Sequence, residues 1–181
     1  INTNEQALEL IVNAIEKSNL KPGKDIVICL DVAANELINE KGEYSIQSKN
    51  HTSVEDNISY YKKLTSYYPI KSIADPFAEE DWNSWKKITN EIGKNVQIVG
   101  DDLFVTNAKR LSKGIKEKSA NCILVKPNQI GTLTETLEVI SMAKAADFNT
   151  IISHRSGDTE DTFIPDLASA TMSSQIKTGS L

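Results

Sequence analysis

The chain has 181 residues, a formal net charge of −5 and a sequence pI of about 5.1. This length supports one domain with a real core, whereas the acidic balance excludes the clustered basic face that nucleic-acid binding requires. No apolar run approaches the roughly 18 residues of a membrane span, and no signal peptide opens the chain. We therefore expect a cytoplasmic protein with neither a nucleic-acid nor a membrane partner.

Short apolar runs are distributed along the chain, and each ends on or just before a charged or hydrogen-bonding residue. They occupy 26–31, 70–75, 96–101, 121–126, 150–156 and 174–179. Parallel strands that are buried on both faces have such continuous runs of Val, Ile and Leu. Segments of helical length separate the runs, so the sequence predicts alternating strands and helices in a single α/β domain over residues 1–181.

The segments between the runs predict amphipathic helices in the same chain order. The first covers 7–15, the second follows Ser53 and continues to 68, and the third covers 79–92. Thr106 is predicted to cap the fourth, which continues to about 118. Thr132 or Thr134 is predicted to cap the fifth, which continues to 146. Both cysteines, Cys29 and Cys122, lie inside apolar runs. We expect both to be buried, reduced thiols.

Strand parity predicts that several polar side chains share one site. Residues two apart in a strand share a face, so Cys29 points the same way as Asp31, and Cys122 the same way as Lys126. If those faces line a barrel interior, Asp31, Asp101 and Lys126 converge at one mouth. Barrel enzymes place their chemistry at the carboxyl ends of the strands, so this mouth is the expected active site.

The residue types at this mouth indicate metal-assisted acid–base chemistry. Two carboxylates suit a hard cation such as magnesium, and a desolvated lysine beside a metal ion can act as a base. The segment His154-Arg155-Ser156 offers an imidazole, a forked cation and a hydroxyl, which can bind a phosphate or a carboxylate. Each group alone has a structural alternative, such as a helix cap or a buried histidine. Five of them at successive strand ends favour a functional site.

Longer motifs occur along the chain in the order and near the spacings of one known family. They are LDVAANEL (30–37), DPFAEEDW (75–82), VGDDLFVTN (99–107), VKPNQIGTLTET (125–136), SHRSGDTEDTF (153–163) and QIKTG (175–179). These motifs resemble bacterial-type enolase, the phosphopyruvate hydratase of glycolysis. The resemblance implies a modified (β/α)8 TIM barrel, of which this chain would hold the last six β/α units. It would lack the final helix and the separate N-terminal α+β domain.

The resemblance also implies roles in the magnesium-dependent dehydration of 2-phospho-D-glycerate to phosphoenolpyruvate. Lys126 would be the base that removes the C2 proton, while Asp31 and Asp101 would be two of the three carboxylates on the tighter magnesium ion. The third ligand of the family is the glutamate of a Ser-Ile-Glu-Asp-Pro pattern, and this chain has Ala74 there. Asp75 is adjacent, but a shift of one residue turns a strand side chain to the other face. We therefore expect magnesium to bind weakly.

Substrate contacts follow from the same resemblance. Arg155 and Ser156 would bind the substrate phosphate. His154 and Lys177 would line the catalytic pocket, with Lys177 near the substrate carboxylate. The general acid of the family, a glutamate in a Gly-Asp-Glu-Gly-Gly segment, and a second catalytic glutamate would precede Ile1.

Two functional interpretations stay open. The first is a catalytic-barrel portion of an enolase, whose chain alone we expect to be inactive. The second is a non-catalytic enolase-like module that acts by binding or assembly. In either case, the open strand edges of an incomplete barrel predict self-association or docking of an N-terminal portion.

Overall fold

The computed structural model describes residues 1–46 and 52–179. The described residues form one parallel sheet of six strands, and neighbouring strands in the sheet follow the chain order. The strands are β1 (Ile28–Asp31), β2 (Ile70–Ala74), β3 (Gln97–Gly100), β4 (Cys122–Val125), β5 (Asn149–Ser153) and β6 (Gln175–Lys177). Each strand predicted from an apolar run is confirmed.

Helices connect the strands, as the intervening segments predicted. They are α1 (Asn4–Lys17), α2 (Val54–Tyr67), α3 (Trp82–Ile92), α4 (Ala108–Glu117), α5 (Pro127–Ile130), α6 (Leu133–Ala145) and α7 (Phe163–Ala170). Ser53 and Asp56 form a capping box at α2, and Thr132 caps α6. The prediction that Thr106 caps α4 is wrong, because Asn107 binds the first free N–H groups of that helix. Among the described residues, no helix is long and apolar enough to cross a membrane.

Two apolar clusters lie on opposite faces of the sheet. The larger one packs the sheet against the helices and includes the fully buried side chains of Ile73, Ile98 and Trp85. The smaller one covers the inner face and consists of Val99, Cys122, Leu124 and Ile151, with Ala74 packed against it. Successive residues of one strand belong to different clusters, as a period of two requires. Ala74 therefore faces inward, whereas Ile73 faces the helices.

Polar contacts across the inner face show that the sheet curls into a half-barrel. At the amino ends of the strands, Gln97 donates to Gln175 at 3.0 Å, and Asn149 donates to Gln97 at 3.2 Å. At the carboxyl ends, Lys177 of β6 reaches Asp31 of β1 at 2.7 Å, although four strands separate them in the sheet. The inner face therefore has an amide layer, an apolar layer and a charged layer, in that order.

The edge position of β1 explains why one cysteine differs from expectation. Cys122 is buried in the inner cluster, but Cys29 is exposed, so the prediction of its burial is wrong; among the described residues both are free thiols. Cys29 lines a cavity of about 370 Å³ on the inner face, which the described strands leave open. Partial burial still raises the pKa of the Cys29 thiol by desolvation.

Candidate functional site

Charged side chains form two ion pairs at the carboxyl ends of the strands. Lys126 follows β4 directly, and its Nζ lies 2.6 Å from Oδ2 of Asp101, which follows β3. Lys177 ends β6, and its Nζ lies 2.7 Å from Oδ2 of Asp31, which ends β1. The structure thus brings together four of the residues that strand parity and the family resemblance had indicated.

The two pairs differ in burial. The side chains of Lys126 and Asp101 are 16% and 11% exposed, whereas those of Lys177 and Asp31 are 45% and 48% exposed. Desolvation raises the pKa of Asp101, and this effect outweighs the lowering by the Lys126 ammonium. The Asp31 charge adds a further, smaller increase, so the two pairs share one electrostatic environment. Little water screens the Lys126–Asp101 pair, so removal of either charge would leave the other one buried without a partner.

The carboxylates around Asp101 are arranged in a way that fits a bound cation. The Oδ1 atom of Asp101 is buried and has no hydrogen-bond partner among the described residues. Buried carboxylate oxygens are normally paired, and a divalent cation is one partner that satisfies them. Ligand atoms of Asp75, Asp101 and Asp102 also lie within 4.8 Å of one another, a spacing that can hold a metal ion. An all-oxygen donor set fits a hard cation.

The contacts of Asp75 could not be predicted from the sequence. Asp75 follows β2 with a φ of +43° and is only 4% exposed. Its Oδ1 accepts the N–H of Asp101 at 3.0 Å, and its Oδ2 accepts the N–H of Asp102 at 2.9 Å. Desolvation raises the pKa of Asp75 to about 7, although those two N–H groups oppose the rise. Asp102 was not singled out from the sequence at all, and its carboxylate accepts a hydrogen bond from Asn35 at 2.9 Å.

Position 74 lies in the sheet between Asp31 and Val99. Ala74 is the register partner of Asp31 in β1 and of Val99 in β3. Its side chain contacts the apolar cluster of the inner face. The strand end that reaches the mouth between the two aspartates therefore presents a methyl group and no oxygen.

Thr106 supports the backbone of Lys126, a role that the sequence did not reveal. The Lys126 N–H donates to Oγ1 of Thr106 at 2.9 Å, and that hydroxyl donates to Gln129 at 3.3 Å. Thr106 is fully buried and adopts a φ of +54°. A threonine just before a helix is most simply interpreted as its cap, so local sequence gave no signal of a contact to the next strand end.

The His154-Arg155-Ser156 segment follows β5. The His154 N–H donates to the Lys177 carbonyl at 3.1 Å, which places it beside β6. His154 also lines a cleft of about 540 Å³ together with Asn128 and the loop around Asp158. Arg155 and Ser156 are exposed, and no hydrogen bond between described residues joins them to the two ion pairs.

A curled parallel sheet with helices on one face and charged side chains at the carboxyl ends of its strands is the architecture of a β/α-barrel domain. A family model described as the enolase C-terminal TIM barrel domain matches residues 1–181. The chain is also 60% identical over 181 residues to the enolase of Pelagibacter ubique (strain HTCC1062), in an alignment that covers 100% of this chain and 43% of that protein. The chain belongs to the enolase C-terminal TIM barrel family, and it spans less than half the length of this curated relative.

Proposed function

We propose that the chain is the catalytic-barrel portion of an enolase, a hydro-lyase that converts 2-phospho-D-glycerate to phosphoenolpyruvate in glycolysis. The observation that carries this proposal is the buried pair in which Lys126 Nζ lies 2.6 Å from Asp101 Oδ2. A candidate base and a candidate metal ligand lie side by side at adjacent strand ends, an arrangement that suits removal of a proton next to a carboxylate. The match to an enolase over the whole chain supports the choice of substrate.

Lys126 is the proposed base in this reaction. The C2–H bond breaks, the proton goes to a neutral Nζ, and the electron pair forms the C2–C3 double bond as the C3–O bond breaks. The leaving hydroxide takes up a second proton to become water, and the glutamate general acid of the enolase family is the proposed donor of that proton. The ammonium form of Lys126 cannot accept a proton, so Lys126 must first lose a proton, and with it the ion pair to Asp101, before it can act as the base. Thr106 keeps the main chain of Lys126 in place while it does so, because the Thr106 hydroxyl binds the Lys126 N–H.

Asp31 and Asp101 are the proposed magnesium ligands. When bound, the ion supplies positive charge that stabilises the negative charge developing on the substrate carboxylate. At position 74 a methyl group stands where the family pattern has a third carboxylate ligand, and magnesium depends on well-placed oxygen ligands. We therefore propose that magnesium binds weakly and that the chain alone does not turn over substrate.

The remaining site residues are assigned to the substrate. Arg155 and Ser156 are exposed beyond β5, where a forked guanidinium and a hydroxyl can bind the phosphate. Lys177 is proposed to bind the substrate carboxylate, and His154 is proposed to line the catalytic pocket. The hydrogen bond from the His154 N–H to the Lys177 carbonyl supports this grouping.

A non-catalytic enolase-like module is the second candidate, and Ala74 is the observation that favours it. The Ala74 side chain extends the inner apolar cluster to a place where the family pattern has a carboxylate. Within the described residues, β1 and β6 each have one unpaired edge, so the chain is proposed to self-associate or to dock a further portion of the polypeptide. A stable monomer on gel filtration would contradict self-association. Two free thiols agree with a reducing, cytoplasmic location.

Turnover measurements distinguish the two candidates. Phosphoenolpyruvate formation is followed by ultraviolet absorbance in the presence of Mg²⁺, for the chain and for Ala74→Glu. Each is measured alone and with the part of the Pelagibacter enolase that this chain does not match. We expect no turnover by the unmodified chain alone and the highest turnover by Ala74→Glu with the added part. Turnover by the unmodified chain alone would refute the proposed inactivity, whereas failure of every mixture favours the non-catalytic module.

A further inference from the structure

Asp75 is a buried carboxylate beside the proposed metal site, and it is neither the proposed base nor a proposed magnesium ligand. Both of its oxygens bind main-chain donors, since Oδ1 accepts the Asp101 N–H at 3.0 Å and Oδ2 accepts the Asp102 N–H at 2.9 Å. A carboxylate that binds two successive N–H groups therefore fixes the backbone that carries them.

The backbone that Asp75 binds is the one that directs the Asp101 side chain. The chain turns sharply after β3, because the N–H groups of Phe104 and Val105 both donate to the Asp101 carbonyl, at 3.1 and 2.8 Å. Val105 and Thr106 both have positive φ angles in this turn. Such a turn leaves the Asp101 and Asp102 N–H groups without partners in the sheet, and Asp75 binds both of them.

The backbone of Asp75 itself adopts an unfavourable conformation. A φ of +43° is uncommon for a residue with a side chain, and such strain persists only where surrounding contacts over-determine it. The Asp75 N–H donates to the Val99 carbonyl at 3.1 Å, and its own carbonyl accepts the Ala34 N–H at 3.2 Å. These contacts hold the Asp75 side chain against the turn after β3.

We propose that Asp75 is a positioning residue: through the N–H groups of Asp101 and Asp102 it orients the Asp101 carboxylate toward Lys126 and the cation. In this role Asp75 does not replace the ligand that is missing at Ala74. The proposal rests on the proposed function, because the cation is the magnesium ion assigned there. Both Asp75 oxygens already have main-chain donors, whereas Oδ1 of Asp101 has none among the described residues.

A double-mutant cycle separates positioning from ligand replacement. Calorimetry measures Mg²⁺ affinity for the 181-residue chain, Asp75→Asn, Ala74→Glu and the combined variant. If Asp75 positions Asp101, Asp75→Asn weakens Mg²⁺ binding about 10- to 100-fold in both backgrounds, because Asp101 is needed with or without a carboxylate at 74. If Asp75 replaces the missing ligand, Ala74→Glu abolishes the effect of Asp75→Asn. That result overturns the proposal.

A metal-free measurement tests the same idea independently. Amide hydrogen exchange at Asp101 or Asp102 should be faster in Asp75→Asn than in the unmodified chain, because asparagine has one side-chain oxygen and can accept only one of these two N–H groups. Unchanged exchange overturns the proposal even if no variant binds Mg²⁺, whereas absent Mg²⁺ binding with faster exchange refutes only the proposed metal site. If Asp75→Asn does not fold, the same exchange is measured in Asp75→Glu, which keeps both carboxyl oxygens but changes their reach. Faster exchange at Asp101 or Asp102 supports the proposal, and unchanged exchange overturns it.

Asn121→Ala is the matched control, because Asn121 also binds the main chain next to β3. Asn121 accepts the Ile98 N–H at 2.7 Å and donates to the carbonyls of Gly93 and Val96 at 2.9 and 3.2 Å, all at the amino end of the strand. Its loss should lower stability and leave Mg²⁺ affinity unchanged. Equal weakening of Mg²⁺ binding by Asn121→Ala and Asp75→Asn would mean that general loosening of β3 explains both, and would overturn the proposal.

Discussion

The Lys126–Asp101 pair can be tested by replacing Lys126 with Met, which keeps the aliphatic stem and removes the ammonium. The Coulomb energy of two charges 2.6 Å apart is roughly 6 kcal/mol at an effective dielectric constant of about 20, and under 2 kcal/mol in bulk water. Burial of the two charges offsets much of this energy in the intact pair. Removal of one partner leaves the other charge buried and alone, which typically costs about 3–5 kcal/mol.

Protonation of Asp101 sets an upper limit on this loss. Without Lys126, the carboxyl can take up a proton, and for a group with an ordinary pKa of 3.8 this costs about 4 kcal/mol at pH 7. At pH 5 the same protonation costs under 2 kcal/mol. Lys126→Met is therefore expected to lower the free energy of unfolding by about 3–4 kcal/mol at pH 7, and by about half of that or less at pH 5.

Urea denaturation at the two pH values measures both the loss and its pH dependence. Lys87→Met is the matched control, because Lys87 and Glu55 also lie 2.6 Å apart but their side chains are 55% and 69% exposed. Exposed pairs contribute little to stability, and many contribute nothing measurable, so this variant should stay close to the stability of the unmodified chain at both pH values. Equal effects of Lys126→Met and Lys87→Met would refute the argument that burial decides the strength of the pair.

Further predictions concern Lys177, Asp75 and Thr106. Lys177→Met should lower stability less than Lys126→Met in the same urea titrations, because water screens the half-exposed Lys177–Asp31 pair; an equal loss would contradict this. Since the pKa of Asp75 is raised to about 7, the native chain holds an extra proton between about pH 4 and 7, so stability falls as the pH rises through this window. Over this window the free energy of unfolding should fall by on the order of 4 kcal/mol, and Asp75→Asn should remove this pH dependence. Identical pH slopes of the unfolding free energy for the two proteins would contradict this prediction. Thr106→Val should cost about 1–3 kcal/mol, because the partly buried N–H of Lys126 loses its acceptor, while Thr106→Ser should restore most of the stability in thermal unfolding.

The positions of the strands could be predicted from the sequence because a strand is a local feature. Each apolar run, such as 121–126, carries its own signal, and the observed β4 (Cys122–Val125) lies inside it. Parity within a run then predicted that Asp31 and Lys126 point inward. The motif order likewise identified the family, and the whole-chain match confirmed it.

The interactions of those side chains could not be predicted from local sequence. Cys29 has the same apolar neighbours as a buried residue, but it is exposed because β1 lies at the edge of the sheet. Thr106 has the sequence position of a helix cap, but its hydroxyl binds Lys126, 20 residues further along the chain. In both cases a distant element decides the environment of the residue.

The sequence by itself determined which strands form, in what order, and which of their ends carry charge, because apolar periodicity and motifs act over a few residues. Only the tertiary structure decided which charges meet. Lys177 and Asp31 are 146 positions apart in the chain, and the curl of the sheet brings them to 2.7 Å. The same curl and the turn after β3 direct Asp75 to the backbone of Asp101, a contact that depends on how two strand ends pack and that no single segment encodes.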